Sequence, residues 1–255
     1  MLNINLTGKT AIVTGAAGQL GRVMAKTLAR CGADVILHCN KSTEKAREIA
    51  SEIEAETGVK TFVVSADVSS LDSVTAMRDS IKTGFKLPDI VVTAAVAQYK
   101  WTTVLEQPIE DYISQFNTCV LHNVNMAKAF VPHMIENHYG KIIGINTECA
   151  LRCFEGESAY DAGKRGMDGV MRILAKEVGR YNITVNQVAP GWTISERDRA
   201  NHTEKDAEYD EKCPMKRRGT DQEIANAVAF LSSDLSSYIT GVYLPVCGGN
   251  VMPAI

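Results

Sequence analysis

Little in this 255-residue chain points to a metal, a membrane or a nucleic acid. Cys31, Cys39, Cys119, Cys149, Cys153, Cys213 and Cys247 include no Cys-x-x-Cys pair, and with the five histidines they form no zinc-site spacing. Buried reduced thiols and no metal are the expectation. Basic charge is scarce as well: 27 Lys and Arg against 30 Asp and Glu leave a net charge of -3, with no basic surface for nucleic acid. No signal peptide opens the sequence, and no apolar run nears the roughly 18 residues of a membrane span. These absences predict a soluble, cytoplasmic protein with no membrane partner. Linkers, repeats and low-complexity stretches are missing too, so residues 1–255 read as one domain, and 45% apolar residues suffice for its core.

What is there alternates between strand and helix. Thr10 to Val13 is a short apolar run entering Gly15, and Leu20, Val23, Met24, Thr27, Leu28 and Cys31 then share one helical face that stops at Gly32. Strands follow at Asp34 to Cys39, Lys60 to Ser65, Asp89 to Ala95, Lys141 to Asn146, Ile183 to Val188 and Val242 to Val246. The helices between them are expected after Ser42 up to Gly58, over Ser70 to Thr83, Glu110 to Phe130 and Ser158 to Gly179, and after a Thr220-x-x-Glu223 capping box. The apolar runs are continuous rather than alternating, as in strands covered on both faces. The pattern predicts a doubly wound parallel α/β sheet, a three-layered Rossmann fold in a single domain.

Chemistry concentrates at Thr147, Tyr160 and Lys164. Residues four apart on a helix share a face, so Tyr160 and Lys164 point into one cleft, although the same spacing suits an ordinary amphipathic helix. A nearby ammonium is expected to lower the phenol's pKa and fit Tyr160 for general acid or base work. Thr147, thirteen residues upstream, can donate to a substrate oxygen as charge develops there. Thr14-Gly-Ala-Ala-Gly-Gln-Leu-Gly21 lies between the first strand and first helix, where backbone amides meet a pyrophosphate.

Taken together, the Thr14 to Gly21 loop, Asp67-Val68, Asn117, Thr147, Tyr160-Asp-Ala-Gly-Lys164, Asn186-x-Val-Ala-Pro-Gly191, Tyr238-Ile-Thr-Gly241 and Pro245-Val-Cys-Gly-Gly249 resemble the short-chain dehydrogenase/reductase family. The resemblance runs from Leu6 to Gly249, and to the branch of 3-oxoacyl-carrier-protein reductases and sugar or polyol dehydrogenases. It implies an NAD(P)(H)-dependent oxidoreductase that interconverts a carbonyl and an alcohol. Tyr160 would be the acid/base, Lys164 would hold the nicotinamide ribose, and Asn117 would hold a water that completes a proton relay. The implied cofactor contacts are Gly15, Gln19, Leu20, Gly21 and Ala95, with Asp67 and Val68 at the adenine and Pro190, Gly191, Thr193 and Ser195 beside the nicotinamide. A homotetramer is implied as well, and the apolar end from Val251 to Ile255 gives it a local reason.

Three positions depart from the family pattern. Gln19 stands at the loop's middle glycine with Gly18 one place earlier, Thr93-Ala-Ala-Val96 replaces Asn-Asn-Ala-Gly, and Thr147 replaces serine. These departures keep an alternative open, a non-catalytic NAD(P)-binding regulator on the same fold. After the second strand, Cys39 replaces the acidic residue that would select a ribose diol, and Asn40, Lys41 and Ser42 suit a 2′-phosphate, so NADP(H) is expected over NAD(H). Tyr99, Trp101, Glu148, Arg152, Phe154, Glu155, Glu157 and Trp192 are the expected substrate contacts, under a mobile lid near residues 192–215. Their carboxylates, arginine and rings suggest a sugar, polyol or hydroxy acid, with a 3-oxoacyl compound as the branch's other substrate.

Overall fold

A computed structural model of the chain describes residues 3–253. The elements run in the order β1 (Thr10–Val13), α1 (Gln19–Arg30), β2 (Asp34–Cys39), α2 (Thr43–Thr57), β3 (Thr61–Ser65), α3 (Leu71–Gly84) and β4 (Ile90–Thr93). Then come α4 (Ile109–Gln115), α5 (His122–Glu136), β5 (Gly140–Ile145), α6 (Cys149–Arg152), α7 (Ser158–Val178) and β6 (Ile183–Pro190). The chain closes with β7 (Thr193–Ile194), α8 (Glu196–Asn201), α9 (Ala207–Lys212), β8 (Gly219–Thr220), α10 (Asp221–Ser232) and β9 (Tyr243–Val246).

Seven strands form one parallel sheet in the order β3-β2-β1-β4-β5-β6-β9. Strand order reverses between β1 and β4, and the crevice beyond their carboxyl ends is where ligands bind in such sheets. Alternate residues of each strand feed opposite layers. Ala11, Val13, Val35, Leu37, Ile90 and Val92 pack with Met24, Leu28 and Val228, whereas Ile12, Ile36 and Val91 pack with Phe130, Met134, Met167 and Met171. Both faces are therefore covered, which is why the strands read as continuous apolar runs. Each fully buried side chain such as Leu28 or Phe130 contributes about 1.5–3 kcal/mol.

The doubly wound sheet and nearly all of the expected elements are present. The differences have local causes. The strand expected to reach Ala95 ends at Thr93, because the Ala94 and Ala95 amides turn to the Thr14 hydroxyl at 2.9 and 3.2 Å. The helix expected over residues 110–130 is two helices joined by a π turn, Phe116–Leu121, and runs on to Glu136. The stretch expected as a lid holds two short helices, α8 and α9. Ser195 and Asp198 form a capping box at α8, and the Asp206 side chain accepts from Tyr209 N at the start of α9.

Candidate active site

A cavity of about 810 Å³ opens at the carboxyl ends of the central strands. Thr147, Tyr160 and Lys164 all line it, so the three side chains picked out by spacing do converge. Thr147 follows β5 and is held from two sides. Its amide donates to Asn146 Oδ1 at 2.9 Å, and its carbonyl accepts from the Tyr243 hydroxyl. Asn146 also donates to Lys164 O and Gln187 Oε1, at 3.1 and 2.7 Å, which ties β5 to α7 and β6.

Tyr160 and Lys164 sit in the first turns of α7, a helix that lies close to α4 because Gly163 has no side chain. A Cβ there would come within 2.9 Å of Gln115 O. The Tyr160 amide donates to the Tyr99 hydroxyl at 2.8 Å, and the Tyr160 ring stacks on Trp101 with centroids 6.5 Å apart. Lys164 is buried, and its Nζ donates to Ile145 O at 2.6 Å while standing 5.6 Å from the Tyr160 ring centroid.

Burial sets the charge states. It pushes the Tyr160 phenol above its ordinary value, with only partial relief from the Thr147 hydroxyl, and it pulls the Lys164 ammonium below its ordinary value. The shift runs opposite to the depressed phenol expected from the Tyr160/Lys164 pairing, because burial dominates. Asn117 lies half-buried in the π turn, outside the cavity lining, and its carbonyl accepts from His122 N.

Next to this triad the first βα loop closes in a tight glycine turn. Gly15 has φ +67°, and a Cβ on it would meet Ala95 Cα at 3.1 Å. At Gly21 a Cβ would fall 2.2 Å from Gly15 O, so the turn closes only on bare backbone. Gly18 caps α1 with no side chain over the helix end, and the helical ladder begins only with Arg22 N to Gly18 O at 3.0 Å. The amides of Gln19, Leu20 and Gly21 thus stand ahead of that ladder. Gly15 N instead turns to His38 Nδ1 at 3.3 Å, and the Gln19 side chain reaches Ile194 O at 3.4 Å.

At the end of β2, Cys39 is buried, whereas Asn40, Lys41 and Ser42 are exposed. Ser42 caps α2 without a side-chain bond, and among the described residues Lys41 is in no ion pair. Asp67 accepts from Ser69 N and Oγ at 2.9 and 2.6 Å, which holds its carboxyl below the usual range, and Val68 O accepts from Asn125 Nδ2 at 3.0 Å. Pro190, Gly191 and Thr193 line the cavity. Ser195 does not, since its hydroxyl accepts from Asp198 N at 2.8 Å in the α8 cap.

All eight expected substrate residues, Tyr99, Trp101, Glu148, Arg152, Phe154, Glu155, Glu157 and Trp192, line the same cavity. Sequence reasoning placed the charged stretch Ser195 to Lys212 at the pocket without singling out Tyr209, and it missed Asn250. The Tyr209 hydroxyl donates to Glu148 Oε1 at 3.0 Å and accepts from Trp192 N at 3.1 Å, and Asn250 Nδ2 donates to Glu148 Oε2 at 3.0 Å. Tyr209 lay inside a charged stretch with no periodicity to single it out. Trp192 is held between the Tyr209 ring at 5.6 Å and the Arg218 guanidinium at 4.2 Å, and buried Arg218 ties this stretch together by donating to Thr193 O, Thr203 O and Asp198.

A glycine turn feeding an uncapped helix start, beside a buried Tyr-Lys pair, defines a dinucleotide-dependent oxidoreductase site. Comparison with known proteins agrees. The profile of the enoyl-(acyl carrier protein) reductase family matches residues 15–250. The 3-oxoacyl-[acyl-carrier-protein] reductase FabG of Staphylococcus epidermidis is 33% identical over 244 residues, 96% of this chain and 99% of that one. Among solved structures, L-sorbose reductase from Gluconobacter frateurii, complexed with NADPH and L-sorbose, matches with a TM-score of 0.91 at 26% identity, covering 99% of this chain and 100% of that one. NAD+-bound xylitol dehydrogenase matches with a TM-score of 0.88 at 27% identity, covering 96% and 99%. The chain belongs to the short-chain dehydrogenase/reductase family and is an NAD(P)-dependent oxidoreductase acting on CH-OH groups.

Among the described residues no group of three or more His, Cys, Asp or Glu could hold a metal ion, and no helix is long and apolar enough to cross a membrane.

Proposed function

We propose that the protein interconverts the carbonyl and alcohol of a small polar substrate, with Tyr160 as the proton donor and acceptor. The observation that carries this reading is the meeting of Thr147, Tyr160 and Lys164 on one cavity wall, beside a loop shaped for a dinucleotide. The residues present fit such a group. The Gln19 to Gly21 amides would take its pyrophosphate, Asp67 and Val68 its adenine, and Lys164 with Pro190, Gly191 and Thr193 its nicotinamide end. When bound it supplies or accepts the hydride. Thr147 holds the substrate oxygen, and the Tyr160 phenol, a protonated group at neutral pH that burial holds further above its ordinary value, gives that oxygen its proton. Asn117 stands near α7 as the group for an ordered water between Lys164 and solvent. A turnover assay across carbonyls and alcohols tests the reading, and a protein that binds cofactor without turnover on any of them would instead be a regulator.

The preferred cofactor is NADP(H). Exposed Lys41, in no ion pair among the described residues, and Ser42, whose hydroxyl makes no cap bond, support it, and the NADPH complex of the sorbose reductase is in line with it, whereas the xylitol dehydrogenase binds NAD+. Lys41→Ala is expected to weaken NADPH at least about tenfold more than NADH, the worth of one charge-assisted bond. Equal weakening of both in a fluorescence titration would argue for NAD(H).

The protein is further inferred to work in the cytoplasm as a homotetramer. Its seven free cysteines suit a reducing compartment. Exposed Leu105, Ile109, Ile113 and Phe116 leave an apolar face along α4, and Val124, Ala127, Ile173 and Leu174 line an apolar groove between α5 and α7. These faces give a stronger reason for assembly than the chain end does: Met252 is exposed, and Ala254 and Ile255 lie outside the described residues. Light scattering is expected to give about four times the 27.7 kDa chain mass, and a monodisperse monomer at micromolar concentration would refute it.

A further inference from the structure

The cavity's charge is lopsided. Glu148, Glu155, Glu157, Asp206 and Glu208 line it against Arg152 and Lys212, with Lys164 committed to Ile145 O. Lys212 already donates to Glu208 at 2.6 Å, and the Arg152 guanidinium lies 4.5 Å from the centroid of the Phe154 ring. A substrate carboxylate or phosphate entering here meets a surplus of like charge. Its desolvation would go uncompensated.

Two of these carboxylates are buried in different ways. Glu148, 2% exposed, is fully engaged by Tyr209 and Asn250. Glu157, 6% exposed, has an Oε2 with no hydrogen-bond partner. It is the cap residue of α7, three positions before Tyr160, yet its side chain makes no cap bond. The Cys149 thiol faces its carboxylate, and burial pushes that carboxyl above its ordinary range. An unpaired buried carboxylate oxygen is costly, and a donor supplied by a ligand would relieve it. Hydroxyl groups supply such donors without bringing a charge.

We propose that Glu157 is the specificity residue that accepts a hydroxyl of the substrate beyond the reacting carbon, so that the acidic site selects uncharged polyols and polyhydroxy ketones over hydroxy acids and acyl chains. This rests on the oxidoreductase reading for its chemistry, but binding can be read without turnover. The chain's two tryptophans, Trp101 and Trp192, both line the cavity, so their fluorescence reports its occupation.

The test titrates the full-length protein, with and without dinucleotide, with four- to six-carbon polyols, the matching aldonates, and 2-pentanol as an alcohol lacking further hydroxyls. Steady-state kinetics on the same compounds run alongside. The best polyol is expected to bind at least about tenfold tighter than its aldonate, because the aldonate's carboxylate meets the surplus of acidic side chains in the cavity, and like charges brought together there are costly. Glu157→Gln keeps the shape and loses the charge. It is expected to weaken the polyol about tenfold more than 2-pentanol, mainly in KM, and to narrow the gap to the aldonate. Aldonates binding as well as polyols, equal weakening of every ligand by Glu157→Gln, or no saturable binding of any polyol would each overturn the proposal. Polyol binding without turnover of any compound would sink the oxidoreductase reading and leave the hydroxyl site standing. Turnover of simple ketones without polyol binding would do the reverse.

Discussion

Tyr160→Phe is expected to abolish turnover while leaving cofactor affinity within a few-fold of wild type. The substitution removes one oxygen and little else. Phenylalanine keeps the ring that stacks on Trp101, the backbone amide that donates to Tyr99, and the helical position that carries Lys164 to Ile145 O. What disappears is the phenolic hydroxyl that the site places beside Thr147 with its proton on at neutral pH, burial holding it above its ordinary value. Lys164 cannot stand in for it, being turned to a backbone carbonyl 2.6 Å away. General acid–base catalysis is typically worth about 10²–10⁴ in rate, so kcat should fall by that factor or more with little change in the dinucleotide titration. A kcat within about tenfold of wild type would remove Tyr160 from the acid/base role.

The parts of this site that local rules govern were legible in the sequence. The Tyr160/Lys164 spacing declared a shared helical face, and the Thr14 to Gly21 glycines declared a turn between strand and helix. The continuous runs at Ile12, Ile36 and Val91 declared a sheet covered on both sides. What stayed hidden depends on partners distant in the chain. Tyr209 and Asn250 reach Glu148 across 61 and 102 positions, and no pattern in a charged loop announces such a contact. The π turn at Phe116–Leu121 carries no composition signal either. Even the electrostatics reversed. A cation four residues away argued for a lowered phenol pKa, but the desolvation of Tyr160 depends on how deeply α7 packs, and in this structure burial raises it instead. Ser195 shows the same limit on a smaller scale, for its hydroxyl is taken by a helix cap that a six-residue helix was too short to reveal.

Gly21→Ala is expected to remove dinucleotide binding, and the sign of its effect on stability separates two opposing forces. Alanine is favoured over glycine by about 1 kcal/mol inside a helix, so propensity alone would make the substitution stabilising. The added Cβ, however, would lie 2.2 Å from Gly15 O, 2.8 Å from Gly15 C and 3.0 Å from Ala16 Cα, and all three are backbone atoms that cannot swing aside. Nor can the loop retreat. Gly15 is already against Ala95, where a Cβ would meet Cα at 3.1 Å, and Gly15 N and Ala16 N are bonded to His38 at 3.3 and 2.9 Å. Overpacking of this kind costs about 1–3 kcal/mol, which exceeds the gain in propensity, so Tm should drop by a few degrees. The same displacement turns the Gln19 to Gly21 amides away from the phosphates. Losing even two charge-assisted bonds of about 1.5–3 kcal/mol each weakens the dinucleotide at least about 100-fold. Gly179→Ala is the control, since Gly179 has φ -55° and a Cβ there meets nothing within 4 Å. It should leave cofactor affinity unchanged. A Gly21→Ala protein that binds the dinucleotide within about threefold of wild type would show that the phosphates do not rest on the start of α1.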